Sequence, residues 1–190
     1  MEKNISKEGK ILEFLVAIFL ILVGGAYRLL PHNPNFAPIV AIALFGGVYF
    51  SKKVALALPV ITMIISDFFI GFYQPSLMAF VYLSFFISVF LGFWLKNHKK
   101  WYNIVATALL SSVIFYILTN FAVWAFTNWY PKDFSGLIDS YIMALPFFRN
   151  TLFGDLFFTG LFFGTYEIIE ILIRRRFTVS KTISVSISKT

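Results

Sequence analysis

The chain predicts an all-α polytopic membrane protein with six transmembrane helices and a short extra helix at the outer surface. Three observations carry that expectation. Of its 190 residues, 59% are hydrophobic, and its mean hydropathy is +0.81. A soluble domain of this size cannot hide that much apolar surface, whereas lipid covers it. Long apolar runs alternate with short polar turns. Lys and Arg then sort onto alternate turns. With the N-terminus inside, Lys3, Lys7, Lys10, Lys52, Lys53, Lys96, Lys99, Lys100, Arg174, Arg175, Arg176, Lys181 and Lys189 fall on the inner side. Arg28, Lys132 and Arg149 fall outside. This is the positive-inside pattern of a multi-pass protein in the cytoplasmic (inner) membrane, with both termini cytoplasmic.

Residues 1–10 read as a cytoplasmic lead, 11–176 as a single six-helix membrane domain, and 177–190 as a cytoplasmic tail. The first helix covers about 11–30, where Arg28, Pro31 and Pro34 close it. Pro38 suits a helix start. The apolar run 38–50 is only about 20 Å long as a helix, so a tilted or buried second helix is expected. Ser51-Lys52-Lys53 is a tight inner turn. The third helix, 54–70, carries Pro59 and ends near Asp67. Gly71–Ser76 turns outside, 77–96 is the fourth helix, and Lys96–Lys100 is an inner basic loop. The fifth helix runs about 103–126. In the connection 127–150, Leu137, Ile138, Tyr141, Ile142 and Leu145 recur at helical spacing, which predicts a separate helix at the outer surface. The sixth helix covers about 151–173. The tail alternates Ser with Ile and Val; a strand fits that pattern, and an unstructured terminus fits it better.

Composition narrows the function. The net charge of +7 sits in short loops beside apolar runs, so anionic membrane lipids, not nucleic acid, are the expected partners. With no Cys there is no disulfide, thiolate nucleophile or Cys-ligated metal. Only His32 and His98 are present. No metal or cofactor site is predicted, and no P-loop, dinucleotide fingerprint or nucleophile elbow occurs.

The polar residues on the predicted outer side supply candidate ligand contacts. The segment Arg28-Leu-Leu-Pro-His-Asn-Pro-Asn-Phe-Ala-Pro38 is stiffened by three prolines, so it can present Arg28, His32, Asn33 and Asn35 in fixed directions as a lid or wall of an outward-facing site, with Phe36 as a stacking wall. Asp67 is costly near a membrane unless paired, and Arg28 or Arg149 is its expected partner. Tyr73 follows in the next turn. Asn120 and Trp124 stand one helical turn apart and form a platform for a flat polar ligand. In Pro146-Phe-Phe-Arg-Asn-Thr-Leu-Phe-Gly-Asp155, Thr151 and Asp155 share a helix face and Arg149 can reach a carboxylate. The alternative at each place is structural: a capped connection, an interfacial anchor, or an Arg–Asp clasp. Glu167 and Glu170 read as inner-end residues paired with the basic run. Ala37/Ala41, Ala43/Gly47 and Gly160/Gly164 offer close-packing seams.

Taken together, the Arg28–Pro38 segment, Ala-Leu-Phe-Gly-Gly (43–47), Ser66-Asp67, Thr119-Asn-Phe-Ala-Val-Trp124 and the 146–155 segment resemble a family of small uncharacterised bacterial membrane proteins over about residues 15–170. In size, six-helix layout and outward polar face the chain is also similar to the substrate-binding S-component of energy-coupling-factor (ECF) vitamin transporters, the cobalamin-binding type nearest. That architectural resemblance implies capture of a vitamin-sized molecule from outside, possible partnership with an ECF transmembrane coupling protein and ATPases, and import. A corrinoid is one such ligand; His32 would then stand where other members use Cys on cobalt. The alternatives are a membrane enzyme acting on a lipid or isoprenoid at the outer leaflet, and a ligand-free assembly subunit.

Overall fold

The computed structural model describes the backbone of residues 7–187 and the side chains of residues 9–172. The basic residues at Lys3, Lys7, Arg174, Arg175, Arg176, Lys181 and Lys189 therefore lie outside the described side chains. Six helices follow one another: α1 Lys7–Leu29, α2 Ile39–Tyr49, α3 Lys52–Ile70, α4 Pro75–Leu95, α5 Trp101–Phe126 and α6 Phe134–Ile187, with no strand among the described residues. Five of them are long and apolar enough to cross a membrane. Large apolar side chains on their outer faces, such as Leu22, Phe68 and Phe157, are more than half exposed, as lipid-facing positions are.

Two expectations need correction. First, α2 is not a full span. Its 11 residues make about 16 Å of helix, against a hydrocarbon core of about 30 Å. It is short because the chain before it descends into the bundle. Phe36 packs on Phe157 and Phe158, well inside α6, and its backbone sits on Gly154, where a Cβ would come within 3.1 Å of the Phe36 Cα. Irregular backbone at such a depth is tolerated where protein or a cavity surrounds it. A helix that starts there needs few residues to reach the far end, and Ile39 to Val48 are all buried.

Second, the surface helix and the sixth span are one helix, unbroken through Pro146. A proline removes one helical hydrogen bond and crowds the carbonyl four residues back, so it disturbs a single turn. Tyr116 of α5 donates its hydroxyl to the Tyr141 carbonyl at 2.6 Å, one residue before that crowded carbonyl, and so ties the turn to α5. The tail expected as a strand or an unstructured segment is also helical backbone, as far as Ile187.

The helices alternate in direction, which gives the bundle two ends. At one, the Ser51 N–H donates to Glu13 at 2.5 Å, and Lys99 meets Glu167 at 2.7 Å and the Tyr49 hydroxyl at 3.3 Å. At the other, Arg28 meets Asp67, Gln74 donates to the Phe126 carbonyl, and Asn150 donates to the Pro34 carbonyl at 3.0 Å. Lys52, Lys53, Lys96 and Lys100 flank the first end in sequence. The Ala43/Gly47 seam is an internal contact: a Cβ on Gly47 would fall 2.5 Å from the Val89 carbonyl oxygen, and Gly92 of α4 sits directly opposite. By contrast, a Cβ on Gly160 or Gly164 would meet nothing within 4 Å.

Candidate functional site at the polar end of the bundle

The Pro-rich segment folds as its residues dictate. The Phe36 N–H donates to the Asn33 carbonyl at 3.0 Å, closing a four-residue turn over Asn33, Pro34, Asn35 and Phe36. Pro34 supplies the fixed φ of its second position, and Asn35 has φ +63° at the third. That is the type II pattern, which wants Gly or Asn where φ is positive. The turn points Asn35 outward and drops Phe36 into a ring cluster with Tyr27 and Phe158.

Beside this turn lies a cavity of about 390 Å³, with Arg28, His32, Asn35, Tyr73, Thr151 and Asp155 as its polar lining. Ile39, Val40, Met63, Val81, Phe85 and Phe115 contribute apolar wall. A second cavity of about 390 Å³ adjoins it and shares Asn35, Val81, Phe115 and Thr151. Its further lining is largely aromatic: Tyr116, Trp129, Tyr130, Phe147 and Phe148, with Asn120 and Thr119 as polar groups. Cavities of this class, mostly apolar with a few directed polar groups, suit small organic molecules.

The charges around the first cavity divide into a closed set and an open one. Arg28 is ion-paired. Its Nη2 lies 2.8 Å from Asp67 Oδ1, and its Nη1 donates to Ser66 Oγ and to the Met63 carbonyl at 3.5 Å. Asp67 is 1% exposed and also accepts from the Tyr82 hydroxyl at 3.4 Å. Of the two arginines expected to pair with it, Arg28 does so. Arg149 is exposed and lines neither cavity.

Asp155 is the open member. It is 2% exposed, lines the cavity, and accepts one hydrogen bond, from Ser112 Oγ at 2.6 Å. No Lys, Arg or His among the described residues forms an ion pair with it. The Arg149–Asp155 clasp anticipated from sequence does not form, because Arg149 lies nearly two turns earlier on α6 and points to the surface. Two further hydroxyls, Ser111 Oγ and Thr159 Oγ1, are buried without a partner, and Thr159 is one turn below Asp155 on the same face of α6.

The remaining predicted contacts are placed as follows. His32 Nδ1 lies 2.7 Å from the Leu30 carbonyl, so it donates there, and the residue lines the first cavity. Tyr73, in the α3–α4 turn, has its hydroxyl pushed up by burial and then by Asp67 and Tyr82, with Arg28 opposing; it stays protonated and can donate. Asn120 gives its Nδ2 to the Tyr116 carbonyl, which leaves its Oδ1 as an acceptor in the second cavity. Phe36 supports the turn from behind and is not cavity lining. Trp124 lines neither cavity; its indole N–H donates to the Pro131 carbonyl at 2.9 Å and anchors the α5–α6 connection. Sequence reasoning missed Ser112, Phe115, Tyr116 and Trp129. Ser111-Ser112 in the middle of an apolar helix was the available signal, since buried hydroxyls there need partners. The aromatic residues carried none, because the chain holds 25 Phe and 9 Tyr.

A model for a family of unknown function (DUF6580) matches residues 9–179. The chain belongs to the DUF6580 family. Its membership spans the bundle, from α1 through the membrane-crossing part of α6. No curated protein and no solved structure matches it, so in this DUF6580 chain the function must be argued from the cavities themselves.

Proposed function

We propose that the protein is a substrate-binding membrane subunit that captures a vitamin-sized organic molecule at the polar end of its bundle, for import. The observation that carries the reading is the pair of adjoining cavities, about 390 Å³ each, joined through Asn35, Val81, Phe115 and Thr151. They bring an aromatic wall and a small set of fixed polar groups to one end of the molecule, opposite the lysine-bearing turns. Under the positive-inside rule that end faces outward. On this reading the chain would work as the ECF S-component resemblance drawn from its sequence implies, engaging a coupling protein and ATPases from the basic end. Cavities of this size suit a molecule of one or two rings better than a corrinoid macrocycle. The test is native mass spectrometry and absorbance of the protein purified in mild detergent, followed by thermal-shift titration with a vitamin panel. A retained or stabilising small molecule, lost on Asn35→Val together with Thr151→Val, supports capture. Absence of any retained molecule and of any stabilisation across the panel overturns it.

A further inference from the structure

We infer that the captured molecule carries an organic cation, held by Asp155 against an aromatic wall. This rests on the capture reading above and adds the charge class of the substrate.

The inference begins with a charge balance over the groups that face the first cavity. Arg28 and Asp67 cancel one another at 2.8 Å, and Arg28 Nη1 also donates to Ser66 and Met63. His32 has one nitrogen committed to the Leu30 carbonyl. Tyr73 is a neutral phenol. The α2 N-terminus, whose first residues Ile39 and Val40 also line the cavity, carries no side-chain cap and adds at most about half a positive charge. Asp155, once ionised, adds a full negative one. It is buried, and no Lys, Arg or His among the described residues forms an ion pair with it.

A buried carboxylate with a single hydroxyl partner is unfavourable unless something answers its charge. Ser112 supplies one of the several hydrogen bonds a carboxylate can accept. Phe85 and Phe115 line the same cavity as Asp155, and Tyr116, Trp129 and Phe148 line the adjoining one. Ring faces attract an organic ammonium and do nothing for an anion. Carboxylate and rings thus select the same charge. A free carboxylate or phosphate ligand would meet Asp155 with no spare cation to offset it, because Arg28 is already neutralised.

The test needs no knowledge of the natural substrate. The full-length protein in nanodiscs is titrated with benzyltrimethylammonium, benzyl alcohol and phenylacetate, which share a ring and differ in charge. Binding is read by calorimetry and by quenching of tryptophan fluorescence. The cation is expected to bind at least about tenfold more tightly than the neutral compound, with the anion weakest. Asp155→Asn keeps an acceptor for Ser112 and is expected to erase that preference, whereas Asp139→Asn, an exposed carboxylate on the same helix, leaves it intact. Equal or tighter binding of benzyl alcohol or phenylacetate by the wild-type protein overturns the cation assignment and leaves capture standing. Binding of none of the three overturns it as well, and the vitamin panel then decides whether capture itself survives. The wild-type charge series stands even if the Asp155 variant does not fold.

Discussion

Arg28 and Asp67 show how one buried pair is decided by its surroundings. Asp67 is 1% exposed and its partner side chain 16%, so removing the cation strands a charge at a cost of about 3–5 kcal/mol. Arg28→Gln is therefore expected to lower the unfolding midpoint sharply in a detergent denaturation series, and adding Asp67→Leu to recover much of the loss. A double variant no more stable than the single one would show that the pair holds nothing together. Lys99 is the opposite case. Burial lowers its amino pKa, but hydrogen bonds with Glu167 and Tyr49 outweigh this and hold it above the ordinary 10.5. A raised lysine gives stability that is complete below the unfolded value and is lost as pH climbs through the folded one. Both partners are about a third exposed or more, so the pair is worth about 1 kcal/mol at most. Lys99→Gln is expected to lower the melting temperature slightly and evenly between about pH 7 and 10, with the gap closing above the ordinary lysine value. A gap that widens above that value contradicts the pairing.

At the scale of elements, α2 is the unit on which the bundle is built. It is buried from Ile39 to Val48 and touches α4 through Gly47 and Gly92 at backbone distance. Gly47→Ala would place its Cβ 2.5 Å from the Val89 carbonyl oxygen, and backbone cannot yield as a flexible side chain can. The expected loss is about 1–3 kcal/mol, read by SDS unfolding. Gly160→Ala meets nothing within 4 Å and is expected to be neutral or to gain up to about 1 kcal/mol from helix propensity. The same outcome at both sites would refute the α2–α4 packing. Between α1 and α2, the turn with Asn35 at φ +63° is what lowers the start of α2 into the bundle. The cavity exists because that helix begins deep.

At the scale of the molecule, orientation is the property on which the proposed import depends. The absence of cysteine makes single-cysteine labelling clean. Cysteines at Asp139 and Asn128 are expected to react with a membrane-impermeant maleimide in intact cells, and cysteines at Lys53 and Asn97 only after permeabilisation. Reversal of that pattern would turn the cavities toward the cytoplasm and remove the basis for capture from outside. The bundle also leaves Phe153, Phe157 and Leu161 exposed on α6, as expected of a protein whose solvent is largely lipid.

By itself the sequence determined the helical class, the boundaries of α3 to α5 to within two residues and the end of α1 to within one, and the alternation of basic and polar turns, because hydropathy, proline and charge act locally; α1 begins four residues earlier than expected, at Lys7. It also determined which polar residues are scarce enough to matter, and Arg28, His32, Asn35, Tyr73 and Asp155 do meet at one cavity. The shortness of α2 was legible, but tertiary structure alone decided that it lies buried inside the bundle, that Pro146 does not end α6, and that Arg28 takes Asp67 while Asp155 is left to Ser112. Those outcomes depend on which helix lies beside which. Charge partners are chosen by distance through space, and spacing along one helix cannot supply the neighbour that α5 brings to α6.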